Sequence, residues 1–121
     1  ITYDPDWQAK WEKRFDNPLE DAETFQLNTD GFVTNIGDKP TSVDEVEGQY
    51  MGLLRIAPEG WSEITRILST LPSDQRDNVH MTGMLQHVIG QDRVKIAGLP
   101  YRAKWSEVDS ESDLRVAEEL M

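Results

Sequence analysis

The sequence predicts an α/β domain with a mixed sheet, in the element order β-α-β-β-β-α-α-β-α. Three observations carry that class. Trp7, Trp11 and Phe15 recur at four-residue spacing, and apolar residues over 61–71 and 81–89 keep a three- or four-residue rhythm, the period of an amphipathic helix. Short runs rich in β-branched and aromatic residues alternate with these stretches and are bounded by Gly, Pro, Asn and Asp. The chain has 121 residues, one domain's worth, and no cysteine, so its core is held without disulfides or thiolate-bound metal.

Each element has a local reason. Ile1-Thr2-Tyr3 alternates apolar and polar residues like the end of a strand, and with no initiator methionine the chain is expected to be a piece of a longer protein. Asp4 is the expected cap of a helix over Pro5–Arg14, with Pro5 in its first turn and its aromatic stripe in the core. Asn17-Pro18 marks a loop over Asp16–Asp21. Thr24–Leu27 and Phe32–Ile36 are expected to form a hairpin, with Asp30-Gly31 supplying positive φ. Gly37–Glu47 carries four carboxylates and reads as a surface loop free to move.

Gly48–Ala57 is apolar over most of its length and reads as a buried central strand. Pro58 opens a helix that Pro72 ends, with Trp61, Ile64, Leu68 and Leu71 inward. A further helix carries Met81, Met84, Leu85, Val88 and Ile89 on one face, with Gly90 near its end. Arg93–Leu99 reads as a strand with Val94, Ile96 and Leu99 inward. Ser110 and Asp113 have the spacing of a capping box, followed by Leu114, Ala117, Leu120 and Met121 as the apolar side of the last helix.

Composition narrows the function. With 12 basic against 23 acidic residues the net charge is −11, which repels nucleic-acid backbones and anionic membranes. No apolar run approaches the roughly 18 residues that span a bilayer, so a cytoplasmic protein is expected. Glycine-rich dinucleotide loops, Walker lysines, G-x-S-x-G elbows and H-E-x-x-H pairs are missing. Gly48 and Gly52 form a G-x-x-x-G that signals only a close approach to the backbone. His80 and His87 would lie two helical turns apart, about 10 Å, too far to share one zinc ion. The constellation with a chemical rationale is Glu107 and Asp109, just before a helix start, an all-oxygen pair suited to Mg²⁺ bound together with substrate phosphates. Acids before helices also serve the helix dipole alone.

Longer strings add a resemblance. Gly48-Gln49-Tyr50-Met51-Gly52-Leu53-Leu54, Pro58-Glu59-Gly60-Trp61, Met81-Thr82-Gly83-Met84-Leu85-Gln86 and, most specific, Trp105-Ser106-Glu107-Val108-Asp109 with Asp113-Leu114 cover nearly the whole chain. Together they resemble the C-terminal half of the sugar-phosphate and phosphocholine-type nucleotidyltransferases, in the branch associated with phosphoenolpyruvate mutase and with phosphonate or choline head groups. The resemblance implies a partial Rossmann-like nucleotidyltransferase fold. It also implies Asp109 as the second metal-binding aspartate and catalytic residue, Glu107 beside the metal, Lys39 on the acceptor phosphate, and Gln49 and Tyr50 lining the acceptor pocket.

Mg²⁺ is the implied cofactor. A nucleoside triphosphate and a phosphorylated or phosphonate small molecule are the implied partners, with nucleic acid and membrane excluded. Family members also carry a glycine-rich triphosphate loop and a first metal-binding aspartate, absent here, and His80 stands where an acid is expected. Weak or no turnover by the chain alone is expected, as is homo-oligomerisation through an exposed sheet edge. The competing reading is a non-enzymatic acidic binding module that uses Gly37–Glu47 as its contact surface.

Overall fold

In the computed structural model, which describes all 121 residues, β1 (Thr2–Asp4) is the middle strand of a three-stranded sheet. On one side it pairs antiparallel with β4 (Gln49–Tyr50), and on the other parallel with β5 (Leu99–Pro100), so the sheet is mixed, as expected. Tyr3 stands opposite both Tyr50 and Pro100. A separate antiparallel hairpin joins β2 (Phe25–Leu27) to β3 (Val33–Ile36). Five helices complete the fold: α1 (Trp7–Arg14), α2 (Pro58–Thr70), α3 (Ser73–Asn78), α4 (Met81–Gln91) and α5 (Glu111–Leu120). The expected order holds with one addition, the short α3 after Pro72. No helix is long and apolar enough to cross a membrane.

The helices follow their sequence signals closely. Ser110 accepts from the Asp113 amide at 3.1 Å while Asp113 returns a bond to the Ser110 amide, the capping box read from the sequence. The aromatic stripe of α1 is core: Trp7 and Trp11 are buried with Ala22 and Val46, and Phe15 and Trp105 pack against them. Asp4, however, belongs to β1 and ends it, and the helix starts three residues later at Trp7.

Two helix faces turn differently from the periodic reading. In α2 the buried positions are Glu63, Ile64 and Ile67, leaving Trp61 exposed. In α5 Asp113 and Ala117 face inward and Leu114 outward, because the buried partner of Asp113 pulls the helix round to that face.

The strands depart further. Gly48–Ala57 is a strand only at Gln49–Tyr50: Gly52 adopts φ +78 and turns the chain out of the sheet, with one last backbone bond from the Thr2 amide to the Leu53 carbonyl at 3.1 Å, and the Leu53 and Ile56 side chains are exposed. Gly48 itself is required by contact, since a Cβ there would collide with the Tyr3 ring. Arg93–Leu99 likewise reduces to Leu99–Pro100, and Leu99 points outward at 64 % exposure. Ile96 still reaches the core and its carbonyl accepts from the Val33 amide at 2.8 Å, tying this segment to the hairpin. At the hairpin turn Gly31 alone has positive φ, while the Asn28 side chain accepts from the Asp30 and Phe32 amides, each at 3.0 Å.

Gly37–Glu47 is organised rather than loose. Its Val43–Glu45 segment is a 3-10 turn closed by a Ser42–Glu45 capping box, and Pro40 and Val46 are buried.

Candidate functional site

The segment Trp105–Asp109 has no regular structure, so its position depends on side-chain anchors. At one end the Trp105 indole N–H donates to Asp4 Oδ2 at 2.7 Å, and Asp4 is wholly buried and also receives the Lys10 ammonium at 2.7 Å. The Trp105 ring packs 5.9 Å from that of Trp11. At the other end the Asp109 amide donates to Asp113 Oδ2 at 3.0 Å. The segment is therefore pinned between the end of β1 and the start of α5.

Beneath it lies Arg14, the last residue of α1, with a side chain only 3 % exposed. Its guanidinium sits 4.7 Å from the Trp11 ring centroid and 4.8 Å from that of Phe15. Nε and Nη2 grip Asp113 in a bidentate pair at 2.8 and 2.9 Å. Nη2 also reaches Asp109 at 3.4 Å, whereas Nη1 makes no hydrogen bond and lies 3.7 Å from Asp21 and 3.9 Å from Glu107.

Asp21, Glu107 and Asp109 thus form a cluster in which one oxygen from each lies within 4.8 Å of the others. Burial pushes the Glu107 carboxyl up to about 7, with the charges of Asp109 and Asp21 adding to the rise and Arg14 opposing it. Asp113 moves the opposite way: the Arg14 hydrogen bonds, and then the amide of Asp109 and the hydroxyl of Ser110, hold it well below the usual carboxylate range. Four carboxylates against one guanidinium leave an excess of negative charge on oxygen donors, and this donor set fits a hard divalent cation such as Mg²⁺.

The cluster borders a cleft of about 380 Å³. Asp21 and Glu107 belong to both, and Gln49, Tyr50, Thr82 and Trp105 are among the cleft's other lining residues. Burial, with Glu23 nearby, raises the Tyr50 phenol above its ordinary value. The cleft contains three acids and no Lys or Arg.

Of the residues singled out from sequence, Gln49, Tyr50 and Glu107 meet in this cleft, and Asp109, with a side chain 64 % exposed, is not one of its walls but lies beside Asp21 and Glu107. Lys39 is not among the cleft's walls, and its ammonium donates to the carbonyls of Leu19 and Glu20 at 2.8 and 2.9 Å, next to Asp21. His80 is exposed at the start of α4 and caps it with no side-chain bond.

Sequence reasoning missed Asp21 and Arg14. Arg14 had a signal: it lies three residues after Trp11 and seven after Trp7, a cation on the apolar face of a helix, and such a charge needs a buried acid. Asp21 follows a 3-10 turn at Pro18–Glu20 and has no periodic mark.

Over 126 aligned positions the chain is 36% identical to the CTP:phosphoglutamine cytidylyltransferase of Campylobacter jejuni. The match takes in 96% of this chain and 47% of that protein, so the chain spans about half the length of its relative. No family model and no solved structure matches the chain. The expected resemblance thus holds.

Proposed function

We propose, on the premise that this chain is a homologue of the cytidylyltransferases, a nucleotidyltransferase family, that it carries the acceptor-binding and cation-binding part of such an enzyme. In the reaction, a phosphate oxygen of the acceptor attacks the α-phosphorus of a nucleoside triphosphate, most simply CTP. The bond from that phosphorus to the bridging oxygen breaks and pyrophosphate leaves, with no covalent enzyme intermediate. Asp109 would be the direct cation ligand, with Glu107 and Asp21 beside it. Mg²⁺ bound there supplies neutralising charge for the phosphates.

The chain's own residues do the rest by positioning. Gln49 and Tyr50 border the acceptor, and Trp105 forms a wall whose orientation is fixed by Asp4. An aromatic, acid-rich cleft without Lys or Arg suits an acceptor with a cationic end, such as an ammonium, opposite its phosphate. Lys39 serves the acceptor phosphate in this reading by exchanging its two backbone carbonyl partners for phosphate oxygen. One observation carries the proposal: Asp21 and Glu107 are shared between the carboxylate cluster and the cleft that holds Gln49 and Tyr50.

Titration of the isotopically labelled chain with phosphocholine or phosphoglutamine, in the presence of CTP and Mg²⁺, tests it by NMR. The expected result is resonance shifts centred on Gln49, Tyr50 and the Trp105 indole. Shifts confined to other surfaces, or a cleft that stays silent at millimolar ligand, would refute it.

A further inference from the structure

Arg14 is the one residue that touches every member of the acidic corner, and its charge cannot leave. The guanidinium is held between two aromatic rings and locked to Asp113 by two hydrogen bonds, in a side chain 97 % removed from solvent. Three of its four acidic neighbours are the carboxylates of the proposed cation site, at 3.4, 3.7 and 3.9 Å. Its Nη1, buried and without a hydrogen bond, faces Asp21 and Glu107.

A fixed positive charge at that range acts in two ways. Through Asp113, which also accepts the Asp109 amide, it sets where the Asp109 backbone stands. Through space it repels any cation approaching the same carboxylates. The first effect orders the site, and the second weakens it for a free ion.

We propose that Arg14 is a positioning residue that keeps the Asp21–Glu107–Asp109 cluster ordered but too weak to hold a free divalent cation tightly, so that the cation is retained only together with a triphosphate. This rests on the cation site proposed above. Two roles of Arg14 lead to opposite effects of substitution. A purely structural Arg14 makes every change at the Arg14–Asp113 pair lower cation affinity. A charge-tempering Arg14 makes loss of the positive charge raise affinity and loss of the negative partner reduce it.

Mn²⁺ binding to the chain, followed by electron paramagnetic resonance without nucleotide, tells these apart. Arg14→Gln is expected to bind Mn²⁺ on the order of tenfold more tightly than the wild type. Asp113→Asn, which keeps an oxygen for the Asp109 and Ser110 amides, is expected to bind more weakly by a similar factor, and Arg14→Lys, which keeps the charge, to stay near the wild type. Should Arg14→Gln fail to fold, the weakening in Asp113→Asn together with the unchanged Arg14→Lys decides in favour, and any other pattern in that pair decides against. Wild-type binding that Asp109→Asn abolishes, without opposite effects at Arg14 and Asp113, overturns this inference alone. Absence of Mn²⁺ binding in every variant overturns both the inference and the cation site beneath it.

Discussion

Asp113 and Glu107 lie six residues apart and face the same guanidinium, yet the structure treats them in opposite ways. Asp113 is buried with four donors aimed at its two oxygens: Arg14 Nε and Nη2 and the amides of Asp109 and Ser110. Glu107 is partly buried with like charges on two sides and its nearest cation nitrogen 3.9 Å away. One carboxylate is supplied with everything its charge needs, and the other is left short of positive charge. The first holds α1 to α5. The second, with Asp109 and Asp21, belongs to the cation site proposed above.

The largest effect that can break this comparison is at the satisfied side. Asp113→Ala leaves Arg14 buried without its bidentate partner and removes a helix cap, and is expected to cost about 3 kcal/mol or more of stability in urea denaturation. A loss under about 1 kcal/mol would mean that the pair is no anchor.

Next come the opposite pH signs. The folded-state pKa of Asp113 is depressed, so its contribution is present above its unfolded value of about 3.9 and is lost as pH falls through the lower folded value. Asp113→Asn is therefore expected to flatten the acid limb of the stability curve. The folded-state pKa of Glu107 is raised, so its contribution is complete below about 4.3 and is lost as pH rises through about 7. Glu107→Gln is expected to gain on the order of 1 kcal/mol over the wild type at pH 8, allowing for solvent screening of a side chain about a third exposed, and nothing at pH 4. Thermal melts at the two pH values check the sign, and a gain at pH 4 would contradict it.

The smallest effect on stability is expected at Asp109. Its exposed side chain makes a single long contact to Arg14, so Asp109→Asn is expected to stay within about 0.5 kcal/mol of the wild type while losing cation binding.

How much of this was legible in the sequence follows from the range of the forces involved. The helices were, because an amphipathic period and a cap are written within a dozen residues, as Ser110 with Asp113 and the Trp7–Trp11 face show. The strands were legible in place but not in extent, since pairing depends on a distant partner. Nothing local tells Leu53–Ala57 that the chain turns out of the sheet at Gly52, or Val94–Ile96 that only the next residues meet β1.

The same holds for the site. Glu107 and Asp109 were found by spacing and resemblance. Asp21 was not, because it joins them across 86 residues of chain that no pattern connects. Arg14 is readable as a misplaced charge on an apolar face, but its partner Asp113, 99 residues on, carries in the sequence only the spacing of a cap.

The most direct test of the central claim, that Asp109, Glu107 and Asp21 form a cation site at the rim of the Gln49–Tyr50 cleft, is paramagnetic broadening by Mn²⁺ in the NMR spectrum of the chain. Broadening is expected to centre on Asp21, Glu107, Asp109 and the Trp105 indole, to be reversed by Mg²⁺ and to be removed by Asp109→Asn without unfolding the protein. Broadening spread evenly over the acidic surface, or unchanged in Asp109→Asn, would contradict it.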